Sequence, residues 1–294
     1  MIVVTGAAGF IGSNLIKKLN EENFKNIVGV DKFEDEIKNE NLRDCILHAT
    51  VDREAFQDWA KLNAEAIEFI FHLGAITDTT ETNTQLLKEL NTEYSKKIWK
   101  LCVEEQIPLI YASSAATYGD GSHGFSTDLT TLKKLKPLNA YAHSKHDFDL
   151  WAIAQDKQPF FWRGLKFFNV YGPNEAHKGK MASMVFQMAQ QIRETGKVKL
   201  FKSYRPDYTD GEQKRDFIHV QEVTNEIYSQ MHKRKISGIF NLGTGKARSF
   251  NEMANYLFKE LDIQPNIEYI EMPQEIRDKY QYFTEAKPST DNSN

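Results

Sequence analysis

A tyrosine and a lysine four positions apart, Tyr141 and Lys145, stand in the segment NAYAHSK and have the spacing for proton chemistry. Residues four apart share one face of a helix, so the lysine ammonium would lie beside the phenol. A neighbouring positive charge stabilises a phenolate and lowers a pKa that starts near ~10. The pair therefore predicts a tyrosine that exchanges a proton with a substrate oxygen, assisted by Lys145.

Two serines close the apolar stretch PLIYASSAATYG, which reads as a strand placed before the helix of Tyr141. Ligands of a parallel sheet gather at the carboxyl ends of its strands. We therefore expect Ser113 or Ser114 to face a ligand crevice there, where a serine hydroxyl can donate a hydrogen bond to the same substrate oxygen.

A glycine-rich turn, TGAAGFIGS, places Gly6, Gly9 and Gly12 directly after the apolar strand MIVVT and at the start of a helical pattern. The free N–H groups of a helix N-terminus hold a pyrophosphate, and glycines leave room for its approach. Because this triplet follows a first strand and an acidic residue comes about twenty positions later, it predicts a dinucleotide site more than a simple tight turn.

The residues after the second strand leave the choice of cofactor open. Asp31 ends the strand NIVGVD, where a carboxylate would accept hydrogen bonds from the ribose hydroxyls of NAD. Lys32 follows at once, and Lys38, Arg43 and Arg53 come soon after. Such cations could hold a 2'-phosphate, so the expected cofactor is NADP, with NAD as the alternative.

The elements that must position these residues alternate along the chain, with short apolar runs separated by amphipathic segments of helix length. This rhythm is typical of βαβ units and a parallel sheet. We predict an α/β protein, a Rossmann-type doubly wound parallel sheet with a smaller C-terminal substrate lobe. The predicted division is a nucleotide domain at 1–168 with 216–240 returning to it, a substrate lobe at 169–215 and 241–286, and a polar tail at 287–294.

Composition excludes several other classes of protein. The net charge of −4, from 37 basic and 41 acidic residues, gives no general attraction to nucleic acid or to an anionic membrane. The apolar stretches fall short of the ~20 residues of a membrane-spanning helix, and the N-terminus lacks the basic region of a signal peptide. Two cysteines without metal-type spacing suit a reducing compartment, so we expect a cytoplasmic protein without a metal site.

Together with FFNVYGP and KRDFIHV, these motifs resemble the extended short-chain dehydrogenase/reductase family, from residue 3 to about 245. The segments HKGKMAS, GIFNLGTG and YQYFTEA are similar to those of members that epimerise an ADP-sugar. The resemblance implies an isomerase that forms a homo-oligomer, pentameric in similar enzymes. Similar enzymes continue further after the last of these segments, so we expect a shortened small lobe.

In similar epimerases one sugar carbon is oxidised to a transient ketone and then reduced from the opposite face, with a proton-handling group on each side. The resemblance gives these two roles to Tyr141 and Lys178, and supporting roles to Ser114 and Lys145. The cofactor positions that it implies are Gly6, Gly9, Phe10, Ile11, Gly12, Asp31, Lys32, Lys38, Arg53, Leu73, Ala75, Asn91, Lys145, Val170 and Lys178.

The substrate positions implied by the same resemblance are Ser114, Asn169, Lys180, Gln187, Phe201, Lys202, Ser203, Tyr204, Arg215 and Tyr280. Arg215 has an independent physical role, because a guanidinium binds a diphosphate through two parallel hydrogen bonds. These positions predict a substrate site that is built mainly from the smaller lobe.

The alternatives to this interpretation are two other reactions of the same family and one non-catalytic function. Nucleotide-sugar dehydratases of this family typically carry an Asp-Glu pair after the strand-end serine, where this chain has Ala115 and Ala116, so dehydration is disfavoured. A UDP-sugar 4-epimerase shares the core motifs, although HKGKMAS weighs against it. A non-catalytic NADP-sensing protein could use the same scaffold, but such regulators usually lack the Tyr/Lys pair that this chain keeps.

Overall fold

The computed structural model describes residues 1–277 and 280–287, so the predicted polar tail lies outside the described residues from position 288 onward. Within the described part of the chain, the strands are β1 (Ile2–Thr5), β2 (Ile27–Asp31), β3 (Ala49–Asp52), β4 (Phe69–His72), β5 (Leu109–Ser114), β6 (Trp162–Phe167), β7 (Asn169–Tyr171), β8 (Val198–Phe201), β9 (Lys214–His219), β10 (Gly238–Leu242), β11 (Ala247–Ser249) and β12 (Ile267–Ile270).

The helices of the same residues are α1 (Phe10–Glu21), α2 (Glu36–Asn39), α3 (Phe56–Leu62), α4 (Thr84–Leu87), α5 (Tyr94–Glu104), α6 (Leu129–Leu132), α7 (Ala140–Ile153), α8 (Met184–Thr195), α9 (Val220–His232), α10 (Phe250–Glu260) and α11 (Gln274–Arg277). A π-helical segment, Lys88–Glu93, joins α4 to α5. Short 3-10 turns lie at Glu40–Leu42, Ala64–Ala66, Ala115–Tyr118 and Ala176–Met181.

Seven strands form one parallel sheet in the order β10-β6-β5-β4-β1-β2-β3, which confirms the predicted Rossmann-type doubly wound fold. The chain first builds outward from β1 to β3 and then continues on the other side of β1 with β4. The order of the strands therefore reverses between β1 and β4, and a crevice opens at their carboxyl ends.

The apolar strands read as continuous hydrophobic runs because both faces of the sheet are covered. Val3, Val28 and Ile70 face a core that includes Trp99 of α5 and Phe148 of α7. The alternate residues of the same strands, Ile2, Val4, Ile27, Phe69 and Phe71, face the opposite core with α1 and α9. This period of two fixes each strand's register.

A smaller lobe follows β6, as predicted. It contains a sheet in the order β11-β9-β7 and the parallel pair β12-β8. Its core is a separate cluster in which Met188 and Ile192 of α8 pack with Phe258 of α10 and Phe217 of β9. The lobe therefore has its own apolar centre and can present loops to the carboxyl edge of the large sheet.

One boundary differs from the sequence prediction. The segment that returns to the large sheet runs from Val220 to Leu242, whereas residues 216–219 stay in β9 of the small sheet. The strand pattern alone does not reveal which sheet receives a strand.

No helix among residues 1–277 and 280–287 combines the length and the apolar character required to cross a bilayer.

One buried carboxylate ties the C-terminal segment to the small lobe. Asp216 is fully buried, and its oxygens accept hydrogen bonds from Thr244 N and Oγ1, Gly245 N and Ala286 N, at distances from 2.6 to 3.0 Å. A carboxylate suits this site because it offers only acceptors to several converging donors.

Replacing Asp216 with asparagine should lower the free energy of unfolding by about 3 kcal/mol, because an amide NH2 would face two backbone donors. Urea unfolding followed by circular dichroism measures this change. Asp207→Asn is the matched control, since that carboxylate is half-exposed and paired with Arg205. Equal stabilities of the two variants would contradict this role of Asp216.

Candidate functional site

The glycine turn follows β1 at the point where the strand order reverses. Gly6 has φ of +69°, and a Cβ at that position would lie 2.7 Å from the Cα of Gly74. A Cβ on Gly12 would lie 2.1 Å from the carbonyl oxygen of Gly6. The chain therefore requires glycine at both positions, one for close contact with the end of β4 and the other for the tight entry into α1.

A cavity of about 430 Å³ opens above this turn. Twelve of the fifteen predicted cofactor residues line it, namely Gly6, Gly9, Phe10, Ile11, Gly12, Asp31, Lys32, Lys38, Arg53, Leu73, Ala75 and Lys178. The cavity also has wall residues that the sequence did not indicate, namely Thr5, Val30, Gly74, Ile76, Thr77, Asp78, Leu90, Tyr94, His177 and Met181. Most of these follow β4 or lie on loops whose path the sequence pattern does not specify.

The other three predicted cofactor residues, Asn91, Lys145 and Val170, do not line this cavity. Asn91 is fully buried in the π-helical segment. Its side chain accepts a hydrogen bond from Ile76 N at 2.8 Å, and donates to Ile76 O at 2.9 Å and to Ser144 Oγ at 3.0 Å. Asn91 thus joins the cavity wall to the helix of Tyr141.

The carboxylate of Asp31 is engaged by the protein itself. Its oxygens accept hydrogen bonds from Ala8 N at 3.0 Å, Lys32 N at 2.8 Å and Lys38 Nζ at 2.6 Å. Lys32 and Arg53 also line this part of the cavity. The carboxyl end of β2 therefore presents cationic side chains around an already paired carboxylate.

The predicted catalytic residues come together at the end of β5. Tyr141 and Lys145 lie in the first turns of α7 and are 8% and 4% exposed, so both face the protein interior. Ser114 lies close enough to the Tyr141 phenol to affect its pKa, and the Ser114 hydroxyl accepts a hydrogen bond from Ala116 N at 3.1 Å. Lys145 Nζ donates to the backbone oxygen of Ala112 at 2.9 Å, which fixes the amine against the same strand.

Burial dominates the pKa values of both paired groups. Burial raises the pKa of the Tyr141 phenol, and Ser114 opposes this shift. Burial also lowers the pKa of the Lys145 amine to about 8, with Asp149 opposing the shift. The expectation that Lys145, together with a positively charged nicotinamide, lowers the pKa of Tyr141 stays a prediction, because the charge of a bound cofactor is part of that expectation.

Lys178 reaches the cavity from a loop of the smaller lobe. Its Nζ lies 5.8 Å from the centre of the Phe10 ring, and burial lowers the pKa of the amine. Glu175 fixes this loop, because its carboxylate accepts from Gly172 N at 3.0 Å and from Ser183 N at 2.6 Å. The loop thus places an amine at the mouth of the cavity.

The predicted substrate residues fall into three groups. Tyr204 and Tyr280 line a second cavity of about 660 Å³ between the loop at Asp120 and the smaller lobe. Arg215 is buried beneath it, with its guanidinium 5.3 Å from the centre of the Tyr280 ring. Phe201, Lys202 and Ser203 belong to the same strand end, where Phe201 packs edge-to-face on Tyr280 at 6.2 Å.

The second group consists of Lys180 and Gln187, whose side chains lie beside the Lys178 loop. Lys180 is exposed, and Gln187 Nε2 donates to its backbone oxygen at 3.1 Å. In the third group, Asn169 Oδ1 accepts a hydrogen bond from Thr284 Oγ1 at 3.4 Å. Sequence reasoning therefore identified residues of two neighbouring lobes but not how they divide between cavities.

A dinucleotide fits the arrangement of the first cavity. Its floor is the glycine turn at the N-terminus of α1, and its rim carries cations at the end of β2. The free N–H groups of α1 suit a pyrophosphate at that position. Among the described residues, no group of three or more His, Cys, Asp or Glu side chains could hold a metal ion.

The lowered pKa of Lys145 predicts how stability depends on pH. Between about 8 and the ordinary value of 10.5, the unfolded chain holds a proton on this amine that the folded chain does not. The free energy of unfolding of the wild type, relative to Lys145→Met, should therefore rise by roughly 2 kcal/mol from pH 8 to pH 10. Urea titrations at several pH values measure it, and a difference that stays constant with pH would contradict the buried amine.

Comparisons with known proteins agree with this geometry. Residues 2–243 match the model of the family described as "NAD dependent epimerase/dehydratase family". A Fusobacterium nucleatum protein named ADP-L-glycero-D-manno-heptose-6-epimerase is 48% identical over 98% of this chain and 90% of its own length. A protein of the same name from Nitratidesulfovibrio vulgaris is 45% identical over 97% of this chain and 89% of its own length.

The fold is also similar to those of solved structures. The crystal structure of the Helicobacter pylori ADP-L-glycero-D-manno-heptose-6-epimerase has a TM-score of 0.77 and 31% identity, over 92% of this chain and 85% of that one. A Thermus thermophilus UDP-glucose 4-epimerase in complex with NAD shares the fold, with a TM-score of 0.78 and 22% identity over 98% and 90% of the two chains. The chain therefore belongs to the NAD-dependent epimerase/dehydratase family.

Proposed function

We propose that this protein is an epimerase that inverts C6 of ADP-glycero-manno-heptose, through transient oxidation of that carbon. The observation that carries the proposal is near full-length similarity to relatives of that name, at 48% and 45% identity, in a chain that has Ser114, Tyr141 and Lys178 at the expected positions of its own motifs. Such a product serves as a heptose donor, and we propose lipopolysaccharide core synthesis as the setting.

The proton chemistry begins at the end of β5. Ser114 and Tyr141 form one polar pair that can hold the oxygen on C6, with the phenol donating its proton to that oxygen or taking it back. Burial keeps the phenol protonated, which suits a group that donates. A bound nicotinamide dinucleotide supplies the hydride acceptor and donor for this chemistry.

A second proton-handling group serves the opposite face of C6. Burial lowers the pKa of Lys178, so a larger fraction of this amine is neutral and able to accept a proton than in an exposed lysine. Burial thus shifts the pKa of Tyr141 upward and that of Lys178 downward, a pattern typical of an acid and a base that cooperate. The ketone intermediate can therefore rotate within the site, and its oxygen can receive a proton from a residue on either side as the hydride returns.

The second cavity has side chains that can bind an ADP group. Its walls include the aromatic rings of Tyr204, Tyr208 and Tyr280, together with the guanidinium groups of Arg205 and Arg277. Aromatic faces stack on a base, and guanidinium groups bind phosphate oxygens. These groups support an ADP-sugar as the substrate, with the nucleotide in the smaller lobe and the heptose directed to Tyr141.

NADP is the proposed form of the cofactor. The Asp31 carboxylate is already paired with Lys38 at 2.6 Å, so it is less available to ribose hydroxyls than an unpaired carboxylate would be. Lys32, Lys38 and Arg53 line the cavity at this point and add positive charge. This charge favours a 2'-phosphate over a hydroxyl.

Incubation with ADP-D-glycero-D-manno-heptose should yield the L-glycero epimer, followed by the C6 resonance in NMR. Tyr141→Phe and Lys178→Met should each lower kcat by at least about 100-fold, because each removes one acid/base group. Lys97→Met, an exposed lysine of α5, is the control for loss of a lysine. If the wild type is active and both site variants retain its kcat, the two-sided proton transfer is contradicted.

The cofactor preference rests on separate residues and has its own test. Arg53→Gln should weaken NADP binding by about 10- to 100-fold, while NAD binding changes little, because a hydrogen bond to a charged phosphate is lost. Calorimetric titration of both dinucleotides measures the two affinities. Arg43→Gln is the matched control, since this arginine, although near Arg53 in sequence, is exposed, pairs with Glu40 and does not line the cavity. Equal losses for NADP and NAD in Arg53→Gln would contradict a 2'-phosphate contact.

A further inference from the structure

A fully buried ion pair lies beneath the catalytic serine and tyrosine. Lys166 Nζ in β6 and an oxygen of Asp149 in α7 are 2.6 Å apart, and the side chains of both residues are 0% exposed. Neither residue lines the cofactor cavity. Removing two charges from water is costly, and an apolar pair of similar volume is often as stable. Stability alone is therefore a weak reason for this pair.

Asp149 connects the catalytic helix to the strand of the catalytic serine. It lies on α7 four residues after Lys145 and eight after Tyr141, so the three side chains share one face of the helix. Its carboxylate accepts hydrogen bonds from Tyr111 OH at 3.0 Å and Ser113 Oγ at 2.6 Å. These bonds hold α7 against β5 one residue before Ser114.

Lys166 makes the second connection, from the neighbouring strand. Its Nζ donates a hydrogen bond to Thr117 Oγ1 at 2.7 Å, and Thr117 Oγ1 donates to the backbone oxygen of Ser114 at 2.7 Å. Lys166 is also the register partner of Ser113 across the β5–β6 ladder. The position of Ser114 is thus fixed from the helix through Asp149 and from β6 through Lys166.

A comparison with Asp216 shows that a buried carboxylate of this protein can satisfy its hydrogen bonds without a lysine. Asp216 is equally buried, and the donors to its oxygens belong to Thr244, Gly245 and Ala286. Hydroxyl groups of Tyr111 and Ser113 already reach both oxygens of Asp149. The ammonium of Lys166 therefore adds a link to β6 that satisfying the carboxylate alone does not require.

We infer that Asp149 and Lys166 are positioning residues, which fix the end of β5 that carries Ser114 relative to the helix that carries Tyr141 and thereby set the geometry of proton transfer at the substrate oxygen. This inference rests on the proposed function, because it assigns the pair a part in that reaction. Neither side chain lines either of the two cavities, so the pair acts through Ser113, Thr117 and the β5 backbone.

The test separates positioning from stability with the double variant Asp149→Leu/Lys166→Met, which removes both charges and keeps an apolar core. Its kcat for epimerisation should fall by about 100-fold, since a shift of about 1 Å at a reacting group has an effect of that size. Its dissociation constant for NADP should stay at the wild-type value, because the pair lies outside the cofactor cavity. Wild-type kcat in the folded double variant would overturn the inference.

A milder variant decides the matter if the double variant does not fold. Thr117→Val removes only the hydroxyl between Lys166 and Ser114, and should lower kcat by about fivefold or more, the worth of one hydrogen bond. Arg163→Met is the matched control: this buried cation lies on the same strand, where its guanidinium stacks on Phe240 at 4.2 Å. The control should lower the thermal midpoint and leave kcat unchanged. An unchanged kcat in Thr117→Val would overturn the inference.

A second readout does not depend on the substrate. In a crystal structure of the double variant, the Ser114 hydroxyl oxygen and the Tyr141 phenol oxygen should be further apart by about 1 Å or more than in a wild-type crystal. An unchanged separation would overturn the inference. If the wild type fails to epimerise the ADP-heptose, the proposed function fails, and this structural comparison still decides whether the pair positions Ser114.

Discussion

The close approach of two backbones at the reversal of the strand order is the constraint on which the site depends. The turn after β1 meets the end of β4 so tightly that a Cβ on Gly6 would lie 2.7 Å from the Cα of Gly74. Thr5 Oγ1 accepts from Gly74 N at 3.1 Å and bonds His72 Nδ1 at 2.7 Å, which locks the two strand ends together. This junction forms one wall of the first cavity and fixes the positions of the strand ends around it.

Hydrogen bonds connect the cavity above the glycine turn to the helix that carries Tyr141. Asn91 binds both backbone groups of Ile76 and the hydroxyl of Ser144, and Ser144 Oγ donates to the backbone oxygen of Tyr141 at 2.7 Å. Asn91 lies in a π-helical segment, a local widening of the helix that is frequent at functional sites. The helix that carries Tyr141 is thereby held at a defined place relative to the cavity wall, although Tyr141 does not line the cavity itself.

The sequence was sufficient for those features that depend on local pattern. The glycine turn, the strand-end serines and the Tyr141 helix follow from spacing and hydrophobic period, and the parallel sheet follows from their alternation. The pattern could not show that residues 216–219 belong to the small sheet, because the choice of sheet depends on tertiary pairing. It also gave no sign of Asp149 and Lys166, which meet only when α7 packs on β5 and β6. The effect of burial on the pKa of Tyr141 is likewise a tertiary property that the sequence does not give.

The most direct test of the account follows the hydrogen on C6 during epimerisation. Inversion by oxidation, followed by return of the same hydride, leaves that hydrogen within the site throughout the reaction. Epimerisation of ADP-D-glycero-D-manno-heptose in D2O should therefore give an L-glycero product that retains protium at C6, as read by NMR and mass spectrometry. Deuterium from the solvent at C6 would show that the carbon is deprotonated instead, and would contradict the account.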